Sequence, residues 1–283
     1  MIRGYAMKWN IQLRNCSGLS LLEVLVALVL TGLVTTAVLK VYVTQHQNYL
    51  AQDDITEVQQ SARAAIAELA RHIRMAGNGL PHGLEPIVAR DGDPDTLVLT
   101  YRIDDCETFL SDSMSLPTSE LKCGSDISCF RDDQWVYIFH PDSGGGEFFL
   151  VSDVQATAYK LQHSTMSLSQ AYDKDAIVLS MEQVRFFIDN VTDTAHPCLM
   201  VQLPGRSPQV YAENITDLQF QYRLRNGMIV DEPVLATDIR EVLISVTGRS
   251  ANPNWEMDRP GEGDQQEKYR FRTYTSSVNV RNI

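Results

Sequence analysis

The chain has 283 residues, 44% of them hydrophobic and 21% charged, which is ordinary globular material with room for a sizeable core. Its formal net charge of -12 and pI of about 4.9 argue against a polyanion-binding surface, which rests on clustered Lys and Arg that neutralise phosphates. The acidic balance instead keeps exposed surface soluble.

The first element is GLSLLEVLVALVLTGLVTTAVLK, Gly18 to Lys40. From Leu19 to Leu39 it is almost wholly apolar, and a helix of that length spans about 31 Å, the thickness of the hydrocarbon layer. Arg3, Lys8 and Arg14 precede it and no acid does, so the positive-inside rule leaves the N-terminus in the cytoplasm and sends the rest across the membrane. The run is longer than a secretory h-region and ends without an A-x-A-like cleavage site, so it reads as a retained membrane helix. Cys16 lies before the run, which argues against a lipoprotein anchor. One acid, Glu23, interrupts it. A carboxylate buried in lipid costs roughly 2.5 to 3.5 kcal/mol, less near the interface, so Glu23 is either tolerated at the membrane edge or meets a cation in an assembly.

These residues resemble the type IV pilin family: a short basic leader, a glycine, then an apolar helix with glutamate at the fifth mature position. Here Gly18 is followed by Leu19-Ser20-Leu21-Leu22-Glu23. The resemblance implies cleavage between Gly18 and Leu19 by a prepilin peptidase, and N-methylation of Leu19. It further implies a role for Glu23 in subunit assembly, where it pairs with a neighbouring subunit's N-terminal amine. Leucine in place of the commoner phenylalanine or methionine departs from the pattern at the methylated position. A start at Met7 leaves MKWNIQLRNCSG as the leader and changes nothing downstream.

The helical pattern continues past the apolar run. In QDDITEVQQSARAAIAELARHIRMAGNG the apolar residues Ile55, Val58, Ala62, Ile66, Leu69 and Ile73 fall three and four apart, one face of an amphipathic helix. Acids gather at its start and Arg71, His72 and Arg74 at its end, as the helix dipole favours, and Gly77 and Gly79 terminate it. One long helix over about 19–76 follows. Beyond it the texture is β. Strands are expected at 96–103 after the turn DGDPD, at 134–139 and 147–154 as a hairpin around HPDSGGG, and at 175–180, 184–190 and 199–203. Others are expected at 215–224 with a turn at Asn226-Gly227, at 241–248, and at 268–280 after a long loop. The fold class is α+β: a long N-terminal helix packed on an antiparallel β-sheet domain. Its parts are a leader 1–18, a transmembrane helix 19–39, an amphipathic continuation 40–77 and a β-rich domain 78–283.

RHIRMAGNG, DPDTLVLTY, NITDLQFQYRL and YTSSVNVRN are similar to PilW-type minor pilins, with weaker likeness through 104–133 and 250–267. The J-type minor pseudopilin of type II secretion has a similar size and layout and is the rival within the family. The resemblance implies a minor pilin that assembles or primes a type IV pilus, with the pseudopilin and a filament-tip binding or adhesion subunit as alternatives. Its implied partners are other pilins and minor pilins, the prepilin peptidase, the inner-membrane pilus assembly machinery and membrane lipid, with no nucleic acid bound directly. The implied location is the inner membrane, single-pass with the C-terminal domain periplasmic, and then a pilus or pseudopilus.

Loss of the leader removes Cys16 and leaves Cys106, Cys123, Cys129 and Cys198, an even number in a domain expected outside the cytoplasm. Two disulfides are the natural reading, with three possible connectivities, of which Cys123–Cys129 and Cys106–Cys198 are favoured. No C-x-x-C pair supports a zinc site, and no metal or cofactor is expected. No nucleophile elbow, zincin motif or phosphate loop is present, so no catalytic residue is expected. DGDPD lacks the spacing of a calcium loop and reads as a turn, and the sequons at Asn190 and Asn214 sit at strand edges and read as chance.

Overall fold

A computed structural model describes residues 20–81, 83–142, 145–163, 168–253 and 269–282. The expected helix is a single element, α1, Leu21–Met75. Ser20 caps its first turn: the Glu23 N–H lies 3.0 Å from the Ser20 carbonyl and 3.3 Å from Oγ. At the other end Gly77 takes a φ of 85°, which a side chain resists, and donates its N–H to the Thr100 carbonyl. By compactness the chain divides inside α1 into two units, Met1–Gln52 and Asp53–Ile283.

The second unit holds the sheets, and every strand pair in it is antiparallel. β1 (Ile87–Arg90) and β2 (Thr96–Phe109) form a hairpin around DGDPD. β3 is Leu121–Lys122, and β4 (Trp135–Phe139) and β5 (Gly146–Gln155) form the expected hairpin. β6 (Lys160–His163), β7 (Ile177–Asp189), β8 (Cys198–Gln202) and β9 (Gln209–Glu213) complete a nine-stranded sheet in the order β1-β2-β7-β4-β5-β6-β3, with β8 between β7 and β9. The expected β-rich domain holds two sheets. β10 (Ile215–Leu224), β11 (Ile229–Val230), β12 (Ile239–Arg249) and β13 (Phe271–Asn279) form a separate four-stranded sheet in the order β11-β10-β12-β13. Gly227, at φ 87°, makes the expected β10–β11 turn.

Two expected strands, 175–180 and 184–190, are one. β7 runs unbroken because it pairs with β2 along one edge and with β4 and then β8 along the other, which holds the polar Glu182 and Gln183 in the ladder. The last part of α1 buries Val58, Ala62, Ala65, Leu69, Ala70 and Ile73, and Ala76 just after it is buried too. Most of them join one core with Leu97, Leu99, Phe186 and Leu199 of the larger sheet and Leu218, Phe220, Val242 and Ile244 of the smaller. Asp95 ties the sheets at the polar level: its N–H bonds the Leu218 carbonyl, and its carboxylate accepts the N–H groups of Phe220 at 2.7 Å and Gly92 at 2.8 Å. A second core, around Leu110, Leu121, Ile138, Val151 and Leu161, fills the other part of the larger sheet.

The cysteine pairing differs from expectation. Cys106 is bonded to Cys129, while Cys123 and Cys198 are free. The register of β2 against β7 jumps between Arg102, opposite Met181, and Glu107, opposite Leu179. The extra residues form a bulge, and Cys106 lies in it. Cys198 instead pairs with Asp189, about 26 Å along β7 from Met181, beyond the reach of a disulfide with Cys106. Cys123 is buried in the second core, its N–H bonded to the Tyr159 carbonyl, and burial pushes its thiol up to about 11.

Candidate assembly site and a buried polar seam

In the first unit, Glu23 stands one turn into α1, where the positive end of the helix dipole favours a carboxylate. Gly18, Leu19 and Cys16 lie outside the described residues. The helix around and after Glu23 presents apolar side chains on every side: Leu22, Val24, Leu25, Val26, Leu28 and Leu33 are all exposed, and no residue from 20 to 52 is buried. This surface has no partner inside the chain, and in water it is costly at every position.

The few polar side chains in the run look after themselves. Thr31, Thr35, Thr36 and Thr44 donate their hydroxyls to the carbonyls one turn earlier at 2.7 to 3.0 Å. A hydroxyl satisfied by its own helix can enter hydrocarbon with little penalty. Glu23 donates its backbone N–H to Ser20, but its carboxylate has no such partner among the described residues. Among the described residues one helix is long and apolar enough to cross a membrane, and it is this one.

A second arrangement, in the other unit, was missed by the sequence reading. On α1 the Arg71 guanidinium forks onto the Glu68 carboxylate, with Nε at 3.0 Å and Nη2 at 2.5 Å. The ring of His72 lies between this pair and the sheet: Nε2 is 2.9 Å from Glu68 and 2.7 Å from Arg71, and Nδ1 is 2.7 Å from the Tyr101 hydroxyl of β2. Phe186 of β7 meets the imidazole edge-on at 5.3 Å. The Arg71 hydrogen bond holds Glu68 down at about 2, whereas burial lowers the pKa of His72 and raises that of Tyr101. A pocket of about 190 Å³ opens beside the seam, lined also by Arg206 and by Glu182, which stands opposite Tyr101 in the β2–β7 ladder. The arrangement fixes the helix on the sheet. Its signal in the sequence was the helical Glu68-x-x-Arg71-His72 spacing, but the partners on β2 and β7 were invisible there.

The remaining candidates are ordinary structure. Asp95 of DGDPD spends its carboxylate on backbone N–H groups. Asn214 is buried at φ 59° between β9 and β10. Among the described residues no group of three His, Cys, Asp or Glu is placed to hold a metal ion.

Residues 13–39 match the family model described as the prokaryotic N-terminal methylation motif. The chain therefore carries the N-terminal methylation motif of type IV pilin-like proteins, on a long helix packed against antiparallel sheets. Its apolar N-terminal helix is that of a membrane-anchored, single-pass protein. No curated protein is significantly similar to the chain.

Proposed function

We propose that this protein is a minor pilin of the PilW type that helps to assemble or prime a type IV pilus. The observation that carries the reading is Glu23, a lone acid one turn into a helix whose apolar surface is exposed on all sides. Such a helix is stable in lipid or among like helices, and the acid is favourable only where a cation meets it. Prepilin peptidase cuts after Gly18, and the new amine of Leu19, methylated, is that cation on a neighbouring pilin. The basic residues Arg3, Lys8 and Arg14 keep the N-terminus in the cytoplasm, so the β domain is periplasmic until the subunit is extracted into the filament. The work is physical rather than enzymatic: helix–lipid contacts are exchanged for helix–helix contacts.

Two measurements test this. Intact mass should show loss of residues 1–18, with one methyl group added, and a mature protein that keeps its leader would refute the assignment. Glu23→Ala makes the helix more apolar, so insertion should be as good or better. Incorporation should fail, because the neighbour's amine is left unpaired in a low-dielectric setting. Processed Glu23→Ala and Glu23→Gln should accumulate in the inner membrane, with much less of either in sheared pili. Normal recovery of both in filaments would show that the acid is only tolerated.

A further inference from the structure

The two sheets expose edges of very different length. Among the described strands those at the open edges of the larger sheet are β1, β3 and β9, of 4, 2 and 5 residues, and β11 at one side of the smaller sheet has 2. β13, at its other side, has 9. It pairs with β12 from Glu241–Asn279 to Arg249–Phe271 without a break in register. The Ser250 N–H bonds the Arg270 carbonyl and the Val280 N–H bonds the Arg240 carbonyl, so the even-numbered residues of β13 face β12. The N–H and C=O groups of Phe271, Thr273, Thr275, Ser277 and Asn279 therefore point away from the sheet, and all five residues are exposed.

Long edges are usually blunted by a bulge, a proline or charged side chains on the strand. β13, FRTYTSSVN, has no bulge or proline and a single charge, Arg272, and it is rich in the residues that favour strands. Its charge is also the reverse of the molecule's. The chain carries -12 overall, yet β13 holds Arg272 and no acid, with Arg270 before it and Arg281 after it, although Glu262, Asp264 and Glu267 precede them in the sequence. The nearest acid across the ladder, Glu241, is neutralised by Arg223 at 2.8 Å. The side chains of Thr275 and Ser277 border a shallow groove of about 690 Å³ over the face of β10, β12 and β13, whose one acid, Asp231, accepts a hydrogen bond from Gln221.

We propose that the free edge of β13 is a docking site for an acidic, extended segment of another polypeptide, which adds as a fifth strand to the smaller sheet. The backbone ladder supplies the affinity and Arg272 and Arg281 select the charge. This does not depend on how the N-terminal helix is read. The probe is a synthetic peptide of alternating threonine and glutamate, with its lysine counterpart as control, added to the full chain in detergent micelles. Amide exchange across 271–279 should slow roughly tenfold with the acidic peptide and not with the basic one. Thr275→Pro removes one outward N–H and leaves the β12 ladder intact, so it should abolish that protection. The exposed pair Arg272→Glu with Arg281→Glu, which does not touch the core, should transfer the protection to the lysine peptide. Equal protection by both peptides, no protection by either, or an edge already protected in the chain alone would overturn the proposal.

Discussion

His72 is only 5% exposed, with Tyr101 on one ring nitrogen and Glu68 and Arg71 on the other. Burial favours the neutral ring, so the folded pKa lies below the ordinary 6.5. An unfolded chain takes up a proton just below pH 6.5 that the folded chain refuses. The stability contributed by neutral His72 is therefore complete above pH 6.5 and is lost as pH falls toward the folded pKa. Glu68 has the same sign at lower pH: its contribution is complete above 4.5 and is lost as pH falls through about 2. The thermal midpoint of the full chain should decline first below pH 6.5 and again below 4.5, and His72→Gln should remove much of the first decline while sparing the second. An unchanged pH profile in that variant would refute the role given to the ring. The cysteines give a second test at this scale. Of Cys106, Cys123, Cys129 and Cys198, thiol labelling of oxidised, denatured protein should find two reactive, and Cys106→Ser should free Cys129 and cost roughly 2 to 5 kcal/mol. Four labelled thiols, or none, would contradict the pairing. The four cysteines could be read from the sequence, but their pairing could not. It depends on a bulge in β2, and a bulge is set by register with a strand some eighty residues away.

Among the elements, α1 was the most legible, because its period, its polar first turn and its terminal glycines all lie within its own sequence. The expected face is buried at Val58, Ala62, Leu69 and Ile73, but Ile55 and Ile66 are only partly buried, and the buried Ala65, Ala70 and His72 were missed. Alanines at 62, 65 and 70 let the helix lie close on the sheets, so bulk is unwelcome there. Ala65→Leu should cost about 1 to 3 kcal/mol by overpacking and Leu69→Ala about 2 to 5 by leaving a cavity, both measurable by urea unfolding. The same closeness is seen from the sheet: a Cβ on Gly248 of β12 would stand 2.9 Å from the Val58 side chain. The strands that escaped notice, β1, β3, β6, β9 and β11, have 2 to 5 residues and too few alternations to stand out. Asp95 was read as turn chemistry, which is half of its work. Asp95→Ala should cost about 1 to 3 kcal/mol for each N–H it orphans, and the loss should be larger than for the exposed Asp91 in the same turn.

Taken whole, the molecule has two parts of opposite character within one helix. No residue from 20 to 52 is buried, whereas the cores begin at Val58. A chain beginning at Asp53 should therefore be soluble without detergent and unfold cooperatively, with a midpoint within a few degrees of the full chain. Aggregation of that fragment would show that the first unit supports the second. The separation was visible in the sequence as a change from unbroken to periodic hydrophobicity, but the existence of two sheets was not, because nothing local distinguishes a strand of one from a strand of the other. The pairing of β2 with β7 adds a constraint of time. The ribosome makes Thr96–Phe109 long before Ile177–Asp189, and Asp95 must wait longer still for Phe220. Until Ile177–Asp189 has been synthesised, β2 has only the short β1 beside it, so its ladder closes late. The last third of the chain, which supplies β8 to β13 and the Phe220 N–H for Asp95, is therefore what closes both sheets.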